Sequence, residues 1–198
     1  MHLTFLRHGR SLADDQGVHE GRYDSPLTAV GRAQAQSLAA HWQAHPPGFD
    51  RLVCSPLVRA HETASVIGAA LNLVPHIDPD WMEYDNGPLA GLPRDVALTR
   101  YPMPAARGRF EPLTADGGES EAAFHRRAGA ALERLITGPG EHVLVVAHGG
   151  ILNAALHELS RSDRVSFAFG DTGFTTVRVD RSRDRVLVLG VNQRPHLG

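Results

Sequence analysis

Histidine and glycine meet at two points of the chain where a short apolar run ends, and at the first an arginine precedes them. The first is Arg7-His8-Gly9, which follows Leu3-Thr4-Phe5-Leu6; the second is His148-Gly149, which follows His142-Val143-Leu144-Val145-Val146-Ala147. Apolar runs of this length read as buried strands, and in an open α/β sheet ligands gather where strands end at their carboxyl side. Glycine lets the backbone come close to such a ligand. If both turns face one pocket, an arginine and a second histidine stand beside His8. A neutral imidazole is a nucleophile near pH 7, and a guanidinium fork suits a doubly charged oxyanion such as phosphate. Taken alone, either pair is equally an ordinary strand-end turn.

A third segment, Ser55-Pro56-Leu57-Val58-Arg59-Ala60, puts Arg59 in the first turn of a helix, where free N–H groups already favour anions. Cys54 raises a rival chemistry, thiolate attack from a Cys-x5-Arg loop. Only four residues separate Cys54 from Arg59, one too few for that loop, and a cysteine after Leu52-Val53 reads as a small buried side chain. The His41 and His45 pair has helical spacing but lacks the adjacent glutamate of a zinc-protease motif, so it reads as a solvated helix face.

The elements that must carry these residues follow from periodicity. Leu3 to Leu6 is strand one, and Thr28 caps a helix to about His45 in which Ala35, Leu38, Ala39 and Trp42 share a face. Leu52 to Ser55 is strand two, with a helix from Leu57 to Leu71. The stretch from Pro75 to Gly118 is rich in proline and glycine and reads as an irregular insertion or lid with one short helix near Asp95 to Tyr101. Ser120 caps a helix burying Phe124, Ala128, Ala131, Leu132 and Leu135; strand three is His142 to Ala147, and Gly150 to Leu159 is a helix. Phe174 to Val179 and Arg185 to Val191 close the chain as two strands around an Asp-Arg-rich turn. Alternating strands and helices predict an α/β fold, a three-layer α/β/α sandwich with a mainly parallel sheet.

Composition narrows the function. The 198 residues, 42% hydrophobic and 21% charged, fit one domain over 1–198 with a substantial core. A net charge of -2 lacks the basic excess of a nucleic-acid binder. All 20 basic residues are arginine, which removes lysine Schiff bases, pyridoxal phosphate sites and P-loops from consideration. Cys54 is the single cysteine and has no internal disulfide partner. With no signal peptide and no long apolar run, the expected location is cytoplasmic, without a membrane partner.

Five segments in order resemble the histidine phosphatase superfamily, in the branch that contains cofactor-dependent phosphoglycerate mutase and related phosphatases. They are Leu6-Arg7-His8-Gly9, Asp24-Ser25-Pro26-Leu27-Thr28 with Gly31, Ser55-Pro56-Leu57 with Arg59-Ala60, Gly118-Glu119-Ser120, and Ala147-His148-Gly149. The ending from Asn192 to His196-Leu197 is similar to phosphatase members. Ser11 and Ala13 break the Arg-His-Gly-x-Arg-x-Pro pattern of the acid-phosphatase branch.

The resemblance implies a phosphoglycerate-mutase-like fold and a hydrolase that passes phosphate through a phosphohistidine on His8. It implies that Arg7, Arg59 and His148 hold phosphoryl oxygens, that Gly149, Arg10 and Ser11 complete the substrate site, and that no metal or cofactor takes part. It places the proton donor after strand two and its helix, where Trp81-Met82-Glu83-Tyr84-Asp85 supplies Glu83, with Asp85 in reserve. Three positions depart from the family pattern. Asp14 replaces an asparagine donor and is expected to turn away or pair with Arg10. Arg10 replaces glutamate or glutamine and suits a second anionic group on the substrate. Ala90 replaces a second glutamate. Tyr84-Asp85-Asn86-Gly87 stands where mutases carry Arg-His-Tyr-Gly, so a phosphatase is the better reading, over a mutase or a non-catalytic phospholigand binder. The expected substrate is a small phosphorylated metabolite, selected by the insertion with Arg94, Arg100, Arg107 and Arg109; the oligomeric state, homo-oligomer included, is left open.

Overall fold

The computed structural model describes residues 1–102 and 107–198; positions 103–106, part of the predicted insertion, lie outside the described residues. In chain order the elements are β1 (His2–Arg7), α1 (Leu12–Gln16), α2 (Ala29–Ala44), β2 (Arg51–Cys54), α3 (Val58–Leu71), β3 (Pro75–Ile77), α4 (Arg94–Arg100), α5 (Glu121–Thr137), β4 (His142–Ala147), α6 (Gly149–Ser160), β5 (Phe174–Asp180) and β6 (Arg185–Gln193). Short 3-10 turns stand at Pro79–Trp81, Gly87–Leu89 and Pro195–Leu197.

The six strands form one sheet in the order β3-β2-β4-β1-β5-β6. The first four are mutually parallel, and β5 and β6 run antiparallel to their neighbours. Because successive strand side chains point to opposite faces, β4 divides its apolar run between two cores. Val143, Val145 and Ala147 join the core under α5 and α6, while Leu144 and Val146 join the core under α2 and α3. Leu3 and Phe5 of β1 face the first core, and Leu6 faces the second. This is the three-layer α/β/α sandwich with a mainly parallel sheet that the residue pattern predicts. The predicted helix faces are the buried ones, and Thr28 and Ser120 cap α2 and α5 through their hydroxyls.

Two elements differ from the sequence reading. The stretch from Pro75 to Gly118 is less irregular than predicted, since it opens with β3, paired in parallel with β2 over Pro75 to Ile77. Three residues beginning with proline carry no legible periodicity. Likewise α1, five residues with a capping box between Ser11 and Asp14, is too short to show an apolar face. No helix among the described residues is long and apolar enough to cross a membrane.

The loop after β1 is pinned to the start of α2 by an approach only glycine allows. A Cβ on Gly9 would lie 2.5 Å from the Gly31 carbonyl oxygen, and one on Gly31 would fall onto the Arg10 carbonyl oxygen. Thr28 donates to that same Arg10 oxygen through its amide (2.9 Å) and its hydroxyl (3.2 Å). Gly31→Ala is therefore expected to destabilise the fold by about 1–3 kcal/mol, the scale of an overpacked site. A Cβ on Gly149 meets nothing within 4 Å, so Gly149→Ala should shift stability by less than about 0.5 kcal/mol. Urea unfolding of the two variants checks the contrast; equal shifts would remove the constraint.

Candidate active site

His8 is the first residue past β1. Its amide donates to Ala147 of β4 at 3.0 Å and its carbonyl accepts from Thr172 at 3.2 Å, so the backbone is held on both sides. Its ring is almost fully buried. Nδ1 lies 2.7 Å from the Gly9 carbonyl oxygen, and Nε2 lies 3.2 Å from Arg59 Nε. A carbonyl only accepts and a guanidinium only donates, so the proton sits on Nδ1 and the lone pair on Nε2. Burial first, then Arg59 and Arg7, holds the His8 pKa well below its usual range. The result is a neutral imidazole with its nucleophilic nitrogen facing the cations.

Arg59 reaches this nitrogen from the first turn of α3, whose start is capped by Asp24, accepting from the Val58 amide at 2.7 Å. The guanidinium is fully buried. It donates to the carbonyls of Tyr23 (3.1 Å) and Gly21 (2.7 Å), and Nε lies 3.2 Å from Glu20 Oε1. Arg7, the last residue of β1, bonds the Phe169 carbonyl and pairs with Asp171 at 3.1 Å and Asp14 at 3.4 Å.

His148 leaves β4 beside His8, with ring centroids 5.1 Å apart. Its Nε2 lies 2.9 Å from Ser55 Oγ, and among the described residues its buried Nδ1 has no partner. Ser55 Oγ already accepts from the Leu57 amide, which leaves its proton for His148 Nε2. Nδ1–H is then an unspent donor on a ring packed beside His8. Burial, Arg59 and His8 hold this ring too well below its usual pKa.

Glu83 stands at the start of α6. Oε2 accepts from the Gly150 amide at 2.7 Å and Oε1 from the Tyr84 amide at 2.8 Å. A Cβ on Gly150 would collide with the carboxylate, so the approach needs glycine there. From α5, Arg127 binds the carbonyls of Asp80, Met82 and Glu83 at 2.8, 2.7 and 3.2 Å and holds both oxygens of Glu119. The segment carrying Glu83 is thereby clamped from both sides.

The structure brings His8, Arg7, Arg59 and His148 into one cluster, with Gly149 opening α6 next to it and Glu83 bonded to the Gly150 amide in the first turn of that helix. Other predicted residues fall elsewhere. Arg10 turns to Asp15 at the surface, 2.5 Å away. Asp14 pairs with Arg7 and not with Arg10, because capping α1 through Ser11 aims its carboxylate inward. Ser11 is itself consumed by that cap and by Glu20, 2.5 Å from its hydroxyl. Asp85 pairs with Arg22 at 3.3 Å and accepts from the Gly87 amide. Cys54 is buried, its thiol pushed up to about 11 by burial alone, so thiolate chemistry is removed. Sequence reasoning passed over Glu20, Arg22 and Arg127, each of which has a partner far along the chain: Arg59 for Glu20, Asp85 for Arg22, and the carbonyls of Asp80, Met82 and Glu83 for Arg127. Ser55, which the segment Ser55-Pro56-Leu57 contained, acquires its use only beside His148.

The buried histidines make folding sensitive to acid. In the unfolded chain His8 and His148 take up protons near pH ~6.5, whereas in the folded protein both pKa values lie well below that. Below pH ~6.5 the unfolded state binds more protons, so stability that is complete above this value falls as the pH drops toward the folded pKa values. Urea unfolding at pH ~7.5 and ~5 should show a smaller loss for the double variant His8→Gln with His148→Gln than for the unaltered protein. Identical losses would mean that these rings do not set the slope.

Over 148 residues the chain is 36% identical to the bifunctional protein Rv2228c of Mycobacterium tuberculosis, covering 74% of this chain and 40% of that protein. It thus spans well under half the length of that relative. It is 28% identical to phosphoserine phosphatase 1 of Hydrogenobacter thermophilus over 99% of this chain and 94% of that one. The crystal structure of the α-ribazole phosphatase from Shigella flexneri has the same fold, with a TM-score of 0.83 at 24% identity over 98% of this chain and 97% of the other. The family model of the histidine phosphatase superfamily, branch 1, matches residues 3–192. A strand-end histidine held neutral among arginines is thus found in a chain that belongs to the histidine phosphatase superfamily.

Proposed function

We propose that the chain is a metal-independent phosphatase that hydrolyses monoesters of small phosphorylated metabolites through a phosphohistidine on His8. The observation that carries this reading is the lone pair on His8 Nε2, fixed by the Nδ1 contact to Gly9 and faced by Arg59. In the first step Nε2 attacks phosphorus and the bond to the ester oxygen breaks, while protonated Glu83 gives its proton to that oxygen. Arg59, Arg7 and the free Nδ1–H of His148 take the equatorial oxygens, replacing contacts they now make within the protein. In the second step ionised Glu83 takes a proton from water, the water oxygen attacks phosphorus, and the P–N bond breaks. His8 returns neutral and inorganic phosphate leaves. The names of relatives that act on phosphoserine and α-ribazole phosphate support the substrate class.

Rapid mixing with substrate followed by an alkaline quench should trap phosphate on His8, stable to alkali and lost in acid. His8→Ala should carry none and should lose turnover while remaining folded. A chelator should leave the rate unchanged. Phosphate found on Cys54, or a rate that dialysis against chelator removes and zinc restores, would overturn the mechanism.

Glu83→Gln keeps the shape but not the proton. In single turnovers it should slow transfer from poorly leaving alkyl esters by roughly 100-fold or more, the scale of general acid catalysis, and slow an activated aryl phosphate much less. Equal slowing of both esters would remove Glu83 as donor.

A further inference from the structure

Glu20 stands where an incoming phosphate must go. Its Oε1 lies 3.2 Å from Arg59 Nε, 2.5 Å from Ser11 Oγ and 3.2 Å from Ser25 Oγ, and its Oε2 lies 3.8 Å from His8 Nε2. The side chain is only 18% exposed and the guanidinium it meets is fully buried. One carboxylate therefore occupies the donor, and borders the nitrogen, that a phosphoryl group has to reach. An ionised carboxylate and a phosphate dianion repel strongly in a site so poor in water.

Resting on the phosphatase reading, we propose that Glu20 is an anion already seated in the site, and that phosphate entry is coupled to the uptake of one proton by Glu20. The neutral acid no longer holds Arg59 as an ion pair. Its new hydroxyl can donate to a phosphoryl oxygen, so a repulsive neighbour becomes a ligand. Glu20 is not a second candidate for the leaving-group acid. That acid stands across the phosphorus from the attacking nitrogen, whereas Glu20 stands beside the nitrogen.

The groups facing Glu20 make this exchange reachable. Burial raises its pKa foremost and Asp14, on α1, adds to the rise; Arg59 from α3, the Ser11 cap and Ser25 oppose it. His8, at the end of β1, faces it as a neutral ring. Arg7 is turned to Asp14 and Asp171. A dianion drawing on Arg59 weakens the strongest opposing charge, so the carboxylate takes its proton as phosphate arrives.

Inorganic sulfate tests this, because it is a tetrahedral dianion that carries no proton between pH ~5 and ~8. By calorimetry, its Kd on the unaltered protein should rise with pH, approaching tenfold per unit where one proton is coupled. Glu20→Gln should bind about tenfold or more tightly at pH ~8 and show a much flatter profile. Glu20→Ala, a second variant in case the first does not fold, should be flat as well. The unaltered protein alone should take up close to one proton per sulfate, read from binding heats in two buffers of different ionisation enthalpy. Variants that keep the original slope would assign the proton to His8 or His148 and overturn the proposal. So would zero proton uptake, or no sulfate binding at any pH. Trapped phosphohistidine with unchanged slopes removes Glu20 alone; flattened slopes without phosphohistidine keep the coupling and remove the hydrolytic reading.

Discussion

The site depends on one register. Strands β1 and β4 are adjacent, parallel and paired from His2 with His142 to Arg7 with Ala147. The next residue on each strand is a histidine, and the two rings emerge side by side. On the other side of β4, Cys54 pairs with Val146, so Ser55 follows one residue short of His148 and reaches its ring through the hydroxyl, at 2.9 Å. A slip of one residue would exchange the two faces of a buried strand, moving the valines of β4 into the wrong core. The same apolar burial that stabilises the sheet therefore fixes where the imidazoles stand.

Around that register the cations are set down in pairs. Arg59 meets Glu20, Arg7 meets Asp14 and Asp171, and Arg127 meets Glu119. Unpaired buried charge is too costly to keep, so each arginine waits with a carboxylate or carbonyl at hand. On the proposed reading, the guanidinium planes are already oriented when a phosphoryl group arrives. What it must do is displace weaker contacts, not organise loose side chains.

Much of this arrangement was legible from residue order. Strand-end His-Gly turns, the hydroxyl caps at Thr28 and Ser120, and the apolar faces of α2 and α5 are local patterns, and local patterns survive in one dimension. The carboxylate of Glu20 gave no such signal, because its meaning lies in Arg59, far along the chain. Arg127 looked like any helix arginine until its carbonyl partners at Asp80, Met82 and Glu83 folded against it. For Asp14 the sequence left two choices, turning away or pairing with Arg10, and neither is taken, since the cap of α1 turns Asp14 inward to Arg7 and Arg10 goes to Asp15. Three-residue β3 and five-residue α1 are shorter than any period that could announce them.

The start of α6 has a further consequence. His148 precedes the helix, and the Gly150 amide in its first turn holds Glu83. The helix end is thus a common mount for the His148 ring and the Glu83 carboxylate. Arg22 and Arg107 are tied to the segment that carries Glu83, Arg22 by a bond to the Glu83 carbonyl (3.4 Å) and Arg107 by one to the Tyr84 hydroxyl (3.4 Å). The hold of the helix end therefore extends through the Glu83 segment into the loops that border it.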